Sequence, residues 1–243
     1  MLPEADVLSA DLGQHARGLF TTRSGGLSEG EYSSLNLGAG VGDEPEAVAR
    51  NRGVLARKVD APVGFMRQVH GTEVHHWDAQ SVPTLGEEPV ADVLLTDAPG
   101  AAVGVLVADC VPVLLAGPGG VAAVHAGRRG LLAGVVESAV TQLAGAGVAV
   151  THAAIGPCIC AGCYEVPQPL QTQACSAVPE LRATTTWGTP SLDLAAGVRA
   201  RLQAAGVRQI DQAGVCTRED ERFFSYRRQD GICGRTAGVA RLS

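Results

Sequence analysis

The run AAVGVLVADCVPVLLA, Ala101–Ala116, with VAAVHAGRRG, Val121–Gly130, close behind it, decides how this chain folds. A strand with one wet face alternates polar and apolar residues, whereas a run this evenly apolar belongs to strands covered on both faces. Ala102–Ala108, Val113–Ala116 and Val121–His125 are therefore read as buried strands. Only Asp109 and Cys110 break the apolar character of the first run, and Pro112 stops a smooth continuation. Val121–His125 leads into a Gly-rich turn, Gly127–Gly130, and a helix over Leu131–Leu143 closed by Gly145 and Gly147.

Working outward, Gly18–Thr22, Val63–Val69, Glu73–Trp77, Val93–Thr96, Ala153–Gly156, Phe223–Tyr226 and Ala237–Leu242 have strand length and composition. Asp43 as N-cap, Pro45 in the first turn and Glu46 open a helix to about Lys58. Asp193–Ala205 is a third helix, stopped by Gly206. Many strands with few, scattered helices predict a mixed α/β or α+β fold: multi-layered mixed sheets with flanking helices, not a strict βαβ repeat. Pro83–Pro89 and Thr184–Pro190 are short polar loops, and residues 1–243 are read as one domain.

Composition narrows the function classes. The chain has 243 residues, enough to bury a substantial core, and 19 Lys+Arg against 25 Asp+Glu give a net charge of -6. That is the wrong sign for a generic nucleic-acid or anionic-membrane binder. No apolar run approaches the roughly 18 residues of a membrane span. The first residues carry acids early and no apolar h-region, so no secretory signal is expected and a cytoplasmic location is. The seven cysteines are an odd number in a chain too large to need a disulfide framework, and are expected to be reduced thiols.

Three places set metal-capable side chains at strand ends: His70 in Gln68-Val69-His70-Gly71, Cys110 after Asp109, and His125 ahead of Gly127. Side chains at neighbouring strand ends can converge. Two imidazoles and a thiolate would fill three corners of a tetrahedral zinc ion and leave the fourth open, the arrangement of a catalytic ion. By spacing alone the same residues also read as polar strand-end histidines and a buried cysteine acting as a small hydrophobe. The turn after His125, with Arg128 and Arg129 beside helix N–H groups, suits an anion or is simply a helix start with solvated arginines. No dinucleotide or P-loop pattern accompanies it. Cys160 and Cys163 form a CxxC after Cys158, a redox pair or half a metal site. Cys175, Cys216 and Cys233 do not supply the second CxxC of a zinc ribbon, so free thiols are expected there. His75 and His76 face opposite ways on a strand, and His15 and His152 have no company in sequence. Arg227 and Arg228 either reach a phosphate or belong to a solvated face.

Taken together, Phe20-Thr21-Thr22-Arg23-Ser24-Gly25-Gly26, Ser34-Leu35-Asn36-Leu37-Gly38, Asn51-Arg52, Gln68-Val69-His70-Gly71, Ala108-Asp109-Cys110, His125-Ala126-Gly127, Gly156-Pro157 and Arg222-Phe223-Phe224-Ser225-Tyr226-Arg227-Arg228 resemble, in order and spacing, the YfiH/YlmD family, also labelled multicopper polyphenol oxidase or laccase domain. The resemblance runs from about Arg17 to Leu242. It implies a zinc-dependent purine nucleoside phosphorylase acting on adenosine, inosine, guanosine and methylthioadenosine, with adenosine deaminase activity in some members. By the same resemblance His70, Cys110 and His125 are the metal ligands, with copper a substitute for zinc. Two departures stand out: Arg128 occupies a position where the family often has Trp, and the Gly-Pro-Cys-Cys-Tyr-Glu stretch reads Cys160-Ala161-Gly162-Cys163-Tyr164-Glu165 here.

In the implied reaction phosphate must sit beside the sugar carbon while the leaving base is stabilised. Arg52, Arg23, Asn36, Gln68 and Arg128 are the expected substrate and phosphate contacts, and Asp109 is a candidate proton-transfer group or a structural carboxylate. Partners are then a purine nucleoside and phosphate, with the chain a monomer or homodimer. A rival reading makes Cys110 the nucleophile of a cysteine hydrolase or amidase, with His125 or His70 as base, acting in peptidoglycan-precursor editing. The oxidase label fits the residues poorly. Six histidines, two of them adjacent, cannot build several copper centres, and a blue-copper site has only Met1 and Met66 to draw on as an axial ligand.

Overall fold

A computed structural model describes residues 4–243, and in it the apolar run crosses from one sheet to another. The strands, in chain order, are β1 (Val7–Ala10), β2 (Ala16–Thr21), β3 (Val63–Gly64), β4 (Val74–His76), β5 (Val93–Thr96), β6 (Ala102–Val107), β7 (Val111–Gly117), β8 (Gly120–Ala126), β9 (His152–Ile155), β10 (Arg182–Thr184), β11 (Pro190–Leu192), β12 (Gln209–Gln212) and β13 (Thr236–Leu242). The α-helices are α1 (Pro45–Val59), α2 (Arg128–Ala133), α3 (Val135–Gly145), α4 (Gln168–Ala177) and α5 (Leu194–Ala204). One sheet has the order β1-β2-β13-β6-β3 and the other β12-β9-β7-β8-β5-β4, with β10-β11 a separate hairpin. Both large sheets mix parallel and antiparallel pairs.

Side-chain alternation explains why the run needs no polar residues. On β6, Val103, Val105 and Val107 face the second sheet, packing with Leu114 and Ala116 of β7 and Val121 and Ala123 of β8. The opposite face of β6 meets Phe65, Val54 and Leu55 through Ala102. On β7 and β8, Val111, Val113, Leu115, Ala122 and Val124 point instead into a layer of helices that includes Leu131, Val135, Ala139, Val198 and Leu202. The order of layers is thus α1, five-stranded sheet, six-stranded sheet, helices α2–α5. Every strand of the run is covered twice, as its composition requires.

Several sequence expectations are corrected. Val63–Val69 is a strand only at Val63–Gly64; Arg67 makes an isolated bridge to Val90 before the chain turns to present His70. Phe223–Tyr226 is not a strand: Phe223 and Phe224 are buried from irregular backbone, so their apolar signal reports burial and not extension. The helix expected over Leu131–Leu143 is broken at Gly134, whose φ of +96° caps α2 and starts α3, a left-handed conformation that glycine adopts without penalty. Glu44, not Asp43, precedes α1, while the Asp43 carboxylate accepts from Ser28 and Asn36. Asp193 does cap α5, accepting from the Ala196 N–H. Strands β1, β10, β11 and β12 and helix α4 had no distinct sequence signal, being short or weakly apolar. No helix among the described residues is long and apolar enough to cross a membrane.

Candidate active site

The three expected ligands come from separate segments: His70 from the loop after β3, Cys110 from the crossing between β6 and β7, and His125 from the end of β8. Strand register sets His125 opposite Pro112, two residues beyond Cys110. Strand parity turns His125 to the inter-sheet side, like Val121 and Ala123. The ligand atoms of His70, Cys110 and His125 all lie within 4.8 Å of one another. Cys110 Sγ is 3.7 Å from His70 Nε2, and the two imidazoles meet edge-on with centroids 4.7 Å apart. Donors around a tetrahedral zinc ion stand roughly 3.3–3.8 Å apart, so small side-chain adjustments close the set on an ion.

Asp92 braces this group from below. Its Oδ1 lies 2.7 Å from His125 Nδ1 and accepts the His70 N–H at 2.9 Å; its Oδ2 accepts the N–H groups of Gly71 at 2.7 Å and Val69 at 3.2 Å. Three successive amides on one carboxylate hold His70 at φ +63°, a left-handed conformation unfavourable for a residue with Cβ. The bond to Nδ1 leaves His125 Nε2 as the donor for a metal, an arrangement common to zinc-binding histidines. Burial raises the Asp92 pKa, but His125 and the amides outweigh it and hold the carboxyl below its ordinary value.

Cys110 and His125 perturb each other. Burial opposes ionisation of the thiol, but hydrogen bonds from His125 and His70 and their charge bring it down to about 6. Burial likewise disfavours the imidazolium, while Asp92 and Cys110 push His125 up to about 9. Gly127 completes the packing. A Cβ there would come within 2.5 Å of His70 Cδ2 and 3.2 Å of Cys110 Sγ, so only glycine lets these two side chains approach.

His70, Cys110 and His125 open onto a cavity of about 820 Å³, within the range of roughly 300–1,000 Å³ usual for small-molecule sites. Of the expected substrate contacts, Arg52 and Gln68 line it. Arg52 is paired with Glu88 at 2.6 Å and stacks over Phe65, so its charge is largely matched. Gln68 is engaged by both polar atoms with the Leu106 backbone of β6. Asp109 also borders the cavity, with one oxygen accepting from Thr217 at 2.7 Å and the other from the Arg227 N–H at 2.8 Å.

Arg23, Asn36 and Arg128 are not brought to this cavity. Arg23 borders a separate recess with Ser33 and Arg228. Asn36 is buried, bonding Gly38, Asp43 and the Arg235 N–H. Arg128 starts α2 half-exposed. The sequence reading missed Asp92, Tyr164, Arg67 and Arg235, all but Asp92 on the cavity wall. An aspartate abutting the apolar Val93–Thr96 strand was the one available signal, since a buried carboxylate needs partners. Arg67, Arg227 and Arg235 form no ion pair among the described residues. The other histidines lie elsewhere, His76 against Asp97 and His152 beside Thr151. Met66 lines the cavity, whereas Met1 lies outside the described residues.

Cys160 and Cys163, read from sequence as a redox pair or half a metal site against free thiols, lie in a second metal-capable group. Cys216 joins Cys160 and Cys163, with Glu219 beside them, although it forms no CxxC of its own.

Comparison with known proteins identifies the family. The family described as multi-copper polyphenol oxidoreductase laccase matches residues 17–243. A purine nucleoside phosphorylase of Streptomyces coelicolor is 48% identical over 232 residues, covering 92% of this chain and 94% of the relative. One of Corynebacterium glutamicum is 43% identical over 234 residues, covering 93% and 94%. Among solved structures, a Neisseria meningitidis protein superposes with a TM-score of 0.85 at 38% identity, covering 98% of this chain and 99% of that one. YlmD of Geobacillus stearothermophilus superposes with a TM-score of 0.82 at 28% identity, covering 99% and 98%. With the match spanning nearly the whole chain, this protein belongs to the YfiH/YlmD family, the one described as multi-copper polyphenol oxidoreductase laccase.

Proposed function

We propose that the protein is a zinc-dependent purine nucleoside phosphorylase, splitting a nucleoside and phosphate into free base and ribose 1-phosphate. The observation that carries this reading is the convergence of His70, Cys110 and His125, braced by Asp92, beside a cavity with unpaired arginines. Relatives named purine nucleoside phosphorylase at 41–48% identity support it. The donor set suits zinc: two nitrogens and one sulfur, an acidic brace behind one imidazole, and an open side toward the cavity. When bound, zinc supplies a Lewis-acid position at that open side.

The chain's own groups then have the following tasks. Arg227, Arg235 and Arg67 hold the phosphate dianion by charge-assisted hydrogen bonds, since none is neutralised by a carboxylate among the described residues. Tyr164, under the Arg227 guanidinium at 4.9 Å, fixes that arginine's direction. A phosphate oxygen forms a bond to the sugar C1′ as the bond from C1′ to the base nitrogen breaks. The electron pair leaves with the base, which takes up the proton that the hydrogen phosphate dianion gives up on becoming the sugar phosphate dianion. Asp109 acts by holding Arg227 in place, because both its oxygens are already bonded.

Zinc-loaded protein should release base from adenosine, inosine, guanosine and methylthioadenosine only with phosphate, forming ribose 1-phosphate in equal amount. Chelated protein and the His70→Ala variant should lose at least 100-fold in rate. Phosphate-independent base release, or full activity in His70→Ala, would overturn the reading. The low thiol pKa of Cys110 beside His70 favours one competing chemistry, a cysteine hydrolase. It predicts activity that survives chelation and is abolished by iodoacetamide. Adenosine deamination at the same site would appear as inosine formed without phosphate.

A further inference from the structure

The loop after β9 and the loop after β12 face each other with matching turns. In the first, the Cys160 carbonyl accepts the N–H groups of Cys163 and Tyr164, three and four residues on, both at 3.0 Å. In the second, the Cys216 carbonyl accepts the N–H groups of Glu219 at 3.2 Å and Asp220 at 2.9 Å, again three and four residues on. A C-x-x-C turn thus opposes a C-x-x-E turn of the same backbone design. A parallel bridge between Cys158 and Cys216 sets the two loops in register. The four side chains Cys160, Cys163, Cys216 and Glu219 converge with all ligand atoms within 4.8 Å.

We infer that Cys160, Cys163, Cys216 and Glu219 form a second metal site, a closed structural zinc centre with three thiolates and one carboxylate. Paired i, i+3 turns facing one another are how zinc ribbons present four ligands, and here Glu219 stands where the fourth cysteine would be. Tetrahedral thiolate donors sit roughly 3.8 Å apart, a contraction of at most about 1 Å from the observed spread. The backbone also favours thiolates: the Cys160 N–H donates to Cys216 Sγ at 3.3 Å. Glu219 makes no ion pair among the described residues, and its Oε1 faces the Cys163 thiol at 3.3 Å. A carboxylate is a normal zinc ligand and completes a set of four donors. Three cysteines and a glutamate around zinc carry two excess negative charges, and Arg218, Arg227 and Arg228 line the adjoining recess.

The consequence reaches the cavity. Tyr164 follows Cys163 directly, and the Arg227 guanidinium donates to the Glu165 carbonyl. Clamping the two loops therefore fixes the wall of the cavity that carries Tyr164 and Arg227. Both segments are also tied to Asp109, whose carbonyl accepts the Ile159 N–H and whose carboxylate accepts the Thr217 hydroxyl.

Metal analysis of the full-length protein, purified with zinc under reducing conditions, tests the site. The wild type should carry two zinc ions per chain, and Cys160→Ser/Cys163→Ser one. His70→Ala should retain one, whose X-ray absorption shows three sulfur and one oxygen or nitrogen neighbour. Cobalt-loaded His70→Ala should show the intense near-ultraviolet bands of several thiolates. If the cysteine variant fails to fold, Glu219→Cys provides the second arm: it should keep two ions and lose the second to chelator at least 10-fold more slowly. One zinc ion per wild-type chain, lost entirely in His70→Ala, would overturn the inference. So would a disulfide among these cysteines in unreduced protein, or thiol-reagent reactivity at all three that chelation leaves unchanged.

Discussion

At the scale of single residues, Asp92 carries more of the site than its absence from any recognisable motif suggests. It positions His125 through Nδ1 and His70 through three amides. Asp92→Asn keeps the shape but removes the charge, and can no longer accept from every donor. Zinc affinity should fall about 10- to 100-fold, the usual cost of losing an outer partner of a zinc-binding histidine. Competition with a chromophoric chelator measures it. The Cys110 thiol supplies a second expectation. With its pKa lowered to about 6, metal-free protein at pH 7 should hold Cys110 roughly nine-tenths ionised. The thiolate is lost as pH falls through about 6, the depressed folded value, and not near the ordinary value of 9.0. Iodoacetamide alkylation rates against pH would show the inflection; His125→Ala, removing the larger of the two histidine contributions, should move it upward.

At the scale of elements, the β8–α2 turn depends on having no side chain at Gly127. Gly127→Ala would push His70 or Cys110 out of line through contacts of 2.5 and 3.2 Å. Overpacking of this kind costs about 1–3 kcal/mol. The variant should lose stability by that amount in denaturant titration and lose bound zinc disproportionately, because the side chains it strikes are two of the proposed ligands. Much of this element was legible beforehand. The strand, the glycine turn and the helix start after His125 follow from alternation and turn residues. That the helix breaks at Gly134 was not, because glycine in a helical pattern is tolerated as often as it terminates. Phe223–Tyr226 misled for a related reason, since aromatic residues mark burial whatever their backbone does.

At the scale of the whole molecule, the two sheets share one apolar layer, and Phe20 of β2 sits within it. Its ring lies where a Cβ on Gly156 or Gly238 would be, so both sheets are shaped around it. Phe20→Ala should cost about 3–5 kcal/mol, and it should lower a single cooperative transition and not split it. Calorimetry monitored alongside near-ultraviolet dichroism would distinguish the two outcomes.

The layered mixed fold follows from the apolar run Ala101–Ala116, and strand-end position with family resemblance makes His70, Cys110 and His125 the candidate ligands. Both are legible in the chain because burial on two faces and ligand chemistry are properties of residue type. Which charged groups line the cavity is settled by packing in three dimensions. Arg52 meets Glu88, Arg23 turns to another recess and Asn36 is consumed by backbone, while Arg67 and Arg235 reach the wall. The same packing joins Cys216 to a CxxC more than fifty residues away. Those outcomes depend on how two sheets and two loops stack in space, and Coulomb and hydrogen-bond energies depend on distances that linear order does not encode.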